Sequence, residues 1–297
     1  MSRGILLGLS AYLLWGLSPL YWKLLDHLSS ADVVIHRILA TGVVLALAHT
    51  VLRTWRRLGS EARNPRTRTN ALLAGTMLAA NWLVFVWAVA NDQVVETSLG
   101  YFINPLLSVV LGVAVLGEHM RRLQWIAVGL AASGVVVLTI DVGTLPWVSL
   151  ALAGTFGVYG LVRKTSPVGS LDGLSLEMAA MAPFALVALA VRGAAGEGIV
   201  GLSDPGLDLL LLGTGVVTAA PLLLFASAAR TTELSTLGLM QYVAPTIQFL
   251  LGVIVFGEEW SGGQALGFVI IWSALALFAA EGFARARQRP RPIATHG

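Results

Sequence analysis

The sequence predicts an all-α integral membrane protein: ten transmembrane helices arranged as two inverted five-helix repeats around a central cavity. Three observations point there. Charged residues make up 12% of the 297 against 56% hydrophobic, with a mean hydropathy of +0.79, whereas a soluble domain carries about a quarter charged residues. The chain divides into ten apolar windows, each about long enough to cross hydrocarbon. Residues 105–118, from Pro105 to Glu118, return 140 positions later as 245–258, with seven of the fourteen positions identical. A fixed offset of nearly half the chain marks one unit written twice.

The first window, 4–25, follows Arg3 and contains Trp15, Pro19 and Lys23. It is too long for a cleaved signal segment and lacks an Ala-x-Ala site, so it is read as a helix. The second, 31–52, holds His36 and Arg37, and the Arg-rich stretch 53–69 behind it reads as a loop. Asn81 and Trp82 lie in the third window, 70–90, and Pro105 in the fourth, 94–116. The fifth, 123–140, starts after Arg121 and Arg122, and the sixth, 145–163, carries Gly154, Gly157 and Gly160 with Thr155 and Tyr159. Glu177 falls in the seventh, 172–191, which a Gly-rich loop, 193–207, joins to the eighth, 208–229. The ninth, 235–256, carries Pro245, and the tenth, 263–282, has Gly263 and Gly267 for close backbone approach between helices and otherwise reads as a packing or dimer surface. Residues 284–297, with Arg285, Arg287, Arg289, Arg291 and two prolines, read as a disordered basic cytoplasmic tail.

The offset of 140 also relates Asp32 to Asp172, Arg37 to Glu177 and the stretch 79–85 to 219–225. The first repeat therefore covers 1–141 and the second 142–283. Because five crossings are odd, the second copy enters the bilayer from the opposite face. Sixteen of the nineteen Lys and Arg residues then fall on the side of the N terminus, which places both termini in the cytoplasm. This clustering between apolar segments accounts for the calculated pI of 9.6 without a nucleic-acid partner. Two inverted halves that exchange conformations give alternating access.

Four residues of the fourth window, Thr97, Tyr101, Asn104 and Ser108, share one helical face, and its counterpart carries Gln241, Tyr242 and Gln248. Polar stripes at bilayer depth are expected to face protein or water. With Tyr12, Trp15, Ser18, Asn81, Trp82, Tyr159, Thr218 and Phe225 they are the candidate lining of a solute cavity. Pro19, Pro105, Pro221 and Pro245 are candidate hinges, since each removes a backbone hydrogen bond; simple packing kinks remain the alternative. His36, Arg37 and Glu177 are candidate gates, with snorkelling or a fixed ion pair as the alternative, and inversion keeps Arg37 and Glu177 apart. Glu118 and Glu258 read as cap or gate elements, while Tyr21, Trp22, Trp55, Trp87, Trp125, Trp147 and Trp260 read as interfacial anchors. No cofactor, metal or catalytic motif is expected: there is no Cys, no GxSxG, no Walker loop and no HExxH, so the chain does not read as an enzyme.

The segments from Ala11 to Gly16, His36-Arg37, Asn81-Trp82, Ser98 to Pro105, Leu116-Gly117-Glu118 and Gln241 to Pro245 resemble the drug/metabolite transporter superfamily with EamA-type repeats, in its RarD-type branch. The resemblance runs from Gly4 to about Gly282. It implies a bacterial inner-membrane carrier without ATP, related to the YddG-type amino acid exporters. The expected activity is export of small amphipathic metabolites, foremost amino acids including aromatic and apolar ones. The alternatives are a drug or antibiotic efflux carrier, a passive channel and a non-transporting scaffold. The partners implied are a small-molecule solute and the lipid bilayer; proton coupling and the choice between monomer and weak homodimer stay open.

Overall fold

The computed structural model describes residues 3–91, 93–142, 147–197, 204–257 and 261–288. Among them α-helices follow one another and no strand occurs. The first crossing consists of α1 (Arg3–Leu17), α2 (Pro19–Trp22) and a 3-10 turn (Lys23–Leu25). Then come α3 (Ser30–Val51), α4 (Trp55–Arg63), α5 (Pro65–Ala90), α6 (Val94–Ala114) and α7 (Arg122–Val142). The second half has α8 (Trp147–Thr165), α9 (Ser170–Ala194), α10 (Pro205–Ala229), α11 (Leu234–Gln241), α12 (Val243–Ile254) and α13 (Gly262–Gln288).

Eight helical stretches are long and apolar enough to cross a membrane, and a shorter apolar one, Leu99–Ala114, lies in α6. The helix α8 is less apolar because Arg163 and Lys164 stand in its last turn, and Ser149, Gly157, Tyr159 and Gly160 are among its buried residues. It packs on α5 and α6, with lesser contacts to α10 and α11, so these side chains meet protein where other helices meet lipid.

Packing survives exchange of the two halves. The helix α1 lies on α10 and on α11 and α12; its counterpart α8 lies on α5 and α6. Likewise α3 lies on α10 and α9 on α5, while α3 meets α9, α6 meets α11 and α7 meets α13. Equivalent residues occupy opposite ends of the bundle. Asp32, at the start of α3, is held at 2.9 Å by Arg192 from the end of α9, and Asp172, at the start of α9, at 2.8 Å by Arg57 of α4. Asp172 and Arg192 share one helix, which separates them by about 30 Å. The end with Arg3, α4 and Asp172 is the proximal end; that with Asp32 and Arg192 is the distal end.

The strongest repeat in the sequence has a backbone cause. Gly117 and Gly257 sit at φ 66° and 67°, the left-handed conformation that ends the fourth helix of each half. The glutamate after Gly117 is thereby turned back toward the neighbouring helix.

Two expectations are corrected, and a third, close approach at the glycines of the tenth window, is met within the chain. The stretch 53–69 is not a loop: it holds the short helix α4 and the start of α5. Basic Arg56, Arg57 and Arg63 alternate there with Trp55, Leu58 and Ala62, which suits a helix lying in the interface. The tail expected to be disordered from 284 is helical as far as Gln288, continuing α13; residues 289–297 lie outside the described residues. The glycines of the tenth window are spent inside the chain. A side chain at Gly267 would meet Leu138 and the carbonyl of Gly134, and one at Gly263 would meet Asp141, so this face packs on α7.

Candidate functional site

The proximal half of the bundle is sealed. Tyr12, Trp15, Phe156, Tyr159 and Phe225 form one aromatic cluster, with neighbouring ring centroids 5.5–6.3 Å apart. The Tyr12 hydroxyl donates to the carbonyl of Leu237 at 3.0 Å, tying α1 to α11. The Tyr242 hydroxyl donates at 3.1 Å to the carbonyl of Phe102, its own equivalent in the other half, so α6 and the break between α11 and α12 meet at the pseudo-axis.

Below this cluster lies a buried ion pair. Arg163 Nη1 and Glu177 Oε1 are 3.0 Å apart, with residue exposures of 1% and 0%. Gly173, one turn before Glu177, leaves room for the guanidinium, since a Cβ there would collide with it. Glu177 Oε2, Arg163 Nε and Nη2 and the Tyr159 hydroxyl have no hydrogen-bond partner among the described residues. Beside the pair, Glu118 accepts from the amides of Leu234 and Ser235 at 2.6 and 2.8 Å and from the Ser235 hydroxyl at 2.7 Å. It caps α11, whose first amides have no helical partner. Lys164 lies 3.8 Å from Glu118 and donates to the carbonyl of Thr232 at 2.5 Å.

The distal half is built differently at the equivalent places. Arg37, the counterpart of Glu177, faces no carboxylate among the described residues. Its guanidinium carbon lies 4.4 Å from the ring centre of Trp82 and 5.2 Å from that of Trp22, and its Nε donates to Thr218 Oγ1 at 2.8 Å. Tyr101 is 44% exposed, whereas its equivalent Gln241 is 7% exposed. At the distal rim Lys23 and Asp26 pair at 2.9 Å in the open. The bond from Lys23 holds the Asp26 carboxyl below its ordinary range.

The candidate residues separate into groups. Arg37, Trp82 and Thr218 come together. Tyr12, Tyr159 and Phe225 are buried and packed with Trp15, and Tyr242 is buried in a separate cluster with Leu99, Phe102 and Val109, so they line no open space in this conformation. Asn81 ties α5 to α8, its Nδ2 donating to the Leu152 carbonyl and to Thr155 Oγ1, both at 2.9 Å. Gln248 donates to the Trp15 carbonyl at 3.1 Å, tying α12 to α1. Asn104 and Ser108 are buried at the crossing of α6 with α11, where a side chain at Gly238 would meet the Pro105 carbonyl and Ser108; Asn104 Oδ1 has no partner there. Two clefts are open on the described residues, about 240 and 190 Å³ in volume. Ser18 and Pro221 border the first, among the exposed Leu14, Leu17 and Val216, and no candidate lining residue borders the second.

The prolines divide as well. Helices end beside Pro19 and just before Pro245, while α6 and α10 run unbroken through Pro105 and Pro221. His36 is not set toward a partner across the bundle: its Nδ1 is 2.8 Å from the carbonyl of Asp32, one turn back. Glu258 and Trp260 lie outside the described residues. Trp22, read as an interfacial anchor, also stands against Arg37. Arg163, counted in the sequence only as a cytoplasmic charge, was missed. Hairpin arithmetic would have found it: α8 and α9 are joined by four residues, 166–169, so Arg163 lies about 3 Å from the end of one helix and Glu177 about 10 Å into the next, an offset that the long arginine side chain spans.

Residues 2–140 match the EamA-like transporter family. The chain is 43% identical to protein RarD of Streptomyces exfoliatus, covering 96% of this chain and 90% of that one. It is 42% identical to an uncharacterized transporter of Vibrio cholerae, with 95% and 93% covered. A solved crystal structure at 18% identity superposes with a TM-score of 0.71, covering 93% of this chain and 97% of that one, which shows the same fold. With a bundle of membrane-crossing helices and these relatives over almost its whole length, the chain belongs to the EamA-like transporter family of the drug/metabolite transporter superfamily, and stands there with the RarD proteins as a multi-pass membrane transporter.

Proposed function

We propose that the chain is a secondary carrier that exports small amphipathic metabolites, foremost amino acids with aromatic or apolar bodies, across the bacterial inner membrane by alternating access. The observation that carries this reading is the unequal state of equivalent residues: Glu177 is sealed against Arg163 where Arg37 is not, and Gln241 is buried where Tyr101 is exposed. Two halves with matching helix pairings but different closure are what one state of a rocking carrier presents, and the other state is reached by exchanging the two arrangements. With the Arg-rich proximal end in the cytoplasm, the conformation is open outward.

The test is counterflow in proteoliposomes. Purified protein loaded with unlabelled amino acids should accumulate labelled amino acid transiently and saturably, and should not do so with nucleosides or common antibiotics. Exchange of antibiotics in place of amino acids would make the cargo a drug, and flux that never saturates would make the protein a channel.

A further inference from the structure

Arg37 is a cation inside a membrane bundle that is only partly compensated. The eighth residue of α3, it lies about 10 Å below the distal start of that helix. Trp22, Trp82 and Thr218, from three other elements of the bundle, lie against it. Two indole faces and one hydroxyl offset part of the cost of a buried charge, and cation–π contacts of this kind are favourable when desolvated. They supply no negative charge. Thr218 occupies the Nε edge of the guanidinium; no described residue accepts from Nη1 or Nη2, and neither nitrogen is among the buried atoms left without a partner, so that edge remains within reach. A guanidinium presents the free edge as a fork that matches a carboxylate with two parallel hydrogen bonds. The two indoles supply an apolar, aromatic wall beside it.

We infer that Arg37 is the anchor for a carboxylate of the transported solute, whose apolar or aromatic body rests against Trp22 and Trp82. The inference rests on the carrier reading and narrows its substrate class to carboxylates, excluding neutral and purely cationic compounds. It also gives the two ends of the bundle corresponding chemistry. In the proximal half Glu177 is closed by a cation internal to the protein, while at the equivalent place in the distal half Arg37 faces no carboxylate among the described residues, so the solute brings the missing partner.

The experiment is counterflow in proteoliposomes with four probes that share a ring and differ in charge: L-phenylalanine, 3-phenylpropionate, L-phenylalaninamide and phenethylamine. The two carboxylates are expected to exchange saturably and the amide and amine not at all. In Arg37→Gln the apparent affinity for both carboxylates should fall about ten- to hundred-fold, the effect of losing charge-assisted hydrogen bonds, while Arg37→Lys retains part of it. Should Arg37→Gln not fold, the comparison of the carboxylates with L-phenylalaninamide on the wild-type protein still decides. Equal exchange of amide and carboxylate, or carboxylate exchange unchanged in Arg37→Gln, overturns the anchor and leaves the carrier reading standing. Absence of saturable exchange for all four probes overturns the anchor; the broader amino acid screen then decides separately whether the carrier reading falls too.

Discussion

The two ends of the bundle hold the same helix pairings and opposite chemistry. At the proximal end, α8 gives Arg163 to Glu177, Glu118 caps α11, and aromatic rings fill the space above. At the distal end, α2 gives an indole to Arg37, and Tyr101 stands exposed. Helix pairing is thus shared by the two halves, while a few side chains set them apart. Under the alternating access proposed above, the repeat encodes the motion and the departures from the repeat encode its bias.

Breaking the buried pair should have the largest effect. Removing one partner leaves an uncompensated charge, at a cost of about 3–5 kcal/mol, whereas replacing both with apolar residues of similar size is close to neutral. Glu177→Gln and Arg163→Met are therefore each expected to lower the thermal stability of the detergent-solubilised protein, and the double variant Arg163→Met with Glu177→Met to restore most of it. The singles should also open the proximal end. The chain has no cysteine, so Gln241→Cys and Tyr101→Cys serve as reporters: maleimide labelling at 241 should rise and that at 101 fall. If labelling at both positions stays as in the parent, the pair is static packing and the comparison between the ends loses its mechanism.

The membrane class and the repeat were legible in the sequence because both are written in many residues at once. Ten apolar windows and a 140-residue offset tolerate local exceptions. The interfacial helix α4 escaped because its nine residues carry charge on one face, and a search for apolar length passes over it. Site residues were legible by type and only partly by partner. Arg37 and Glu177 stood out as intramembrane charges, and their separation followed from inversion. Their actual partners, Trp22 and Arg163, sit near helix ends, where an aromatic reads as an anchor and a cation as a topology signal. Buried tyrosines such as Tyr12 and Tyr242 were read as lining because a polar tip looks the same whether it meets a solute or a neighbouring carbonyl.

Equivalent glycines sharpen the comparison next. A Cβ at Gly215 of α10 would stand 2.4 Å from the carbonyl oxygen of Ala40 on α3, backbone that has no rotamer to yield. At Gly75 of α5, the equivalent position, it would stand 3.4 Å from the carbonyl oxygen of Glu177 on α9, an ordinary contact. Gly215→Ala is expected to cost about 1–3 kcal/mol by overpacking, with Gly75→Ala close to neutral, when both are compared by thermal unfolding. Equal losses would mean that the two crossings are equally tight and that the asymmetry lies in side chains alone.

The smallest effect belongs to the cap at the proximal rim. Glu118 accepts from two backbone amides of α11 and from the Ser235 hydroxyl, and Lys164 stands 3.8 Å away. Losing a helix cap costs about 0.5–2 kcal/mol, which corresponds to roughly two- to thirty-fold faster local opening. Glu118→Ala should accelerate amide hydrogen exchange in the first turn of α11 by that factor while exchange in the distal start of α3, capped by Ser29, stays unchanged. Because α11 is the short half of a crossing broken before Pro245, it opens without disturbing α12, so the acceleration should stop at the break. Acceleration that spreads through α12 would show the crossing moving as one rod, and the closed end would then open by tilting a whole helix rather than by releasing its capped half.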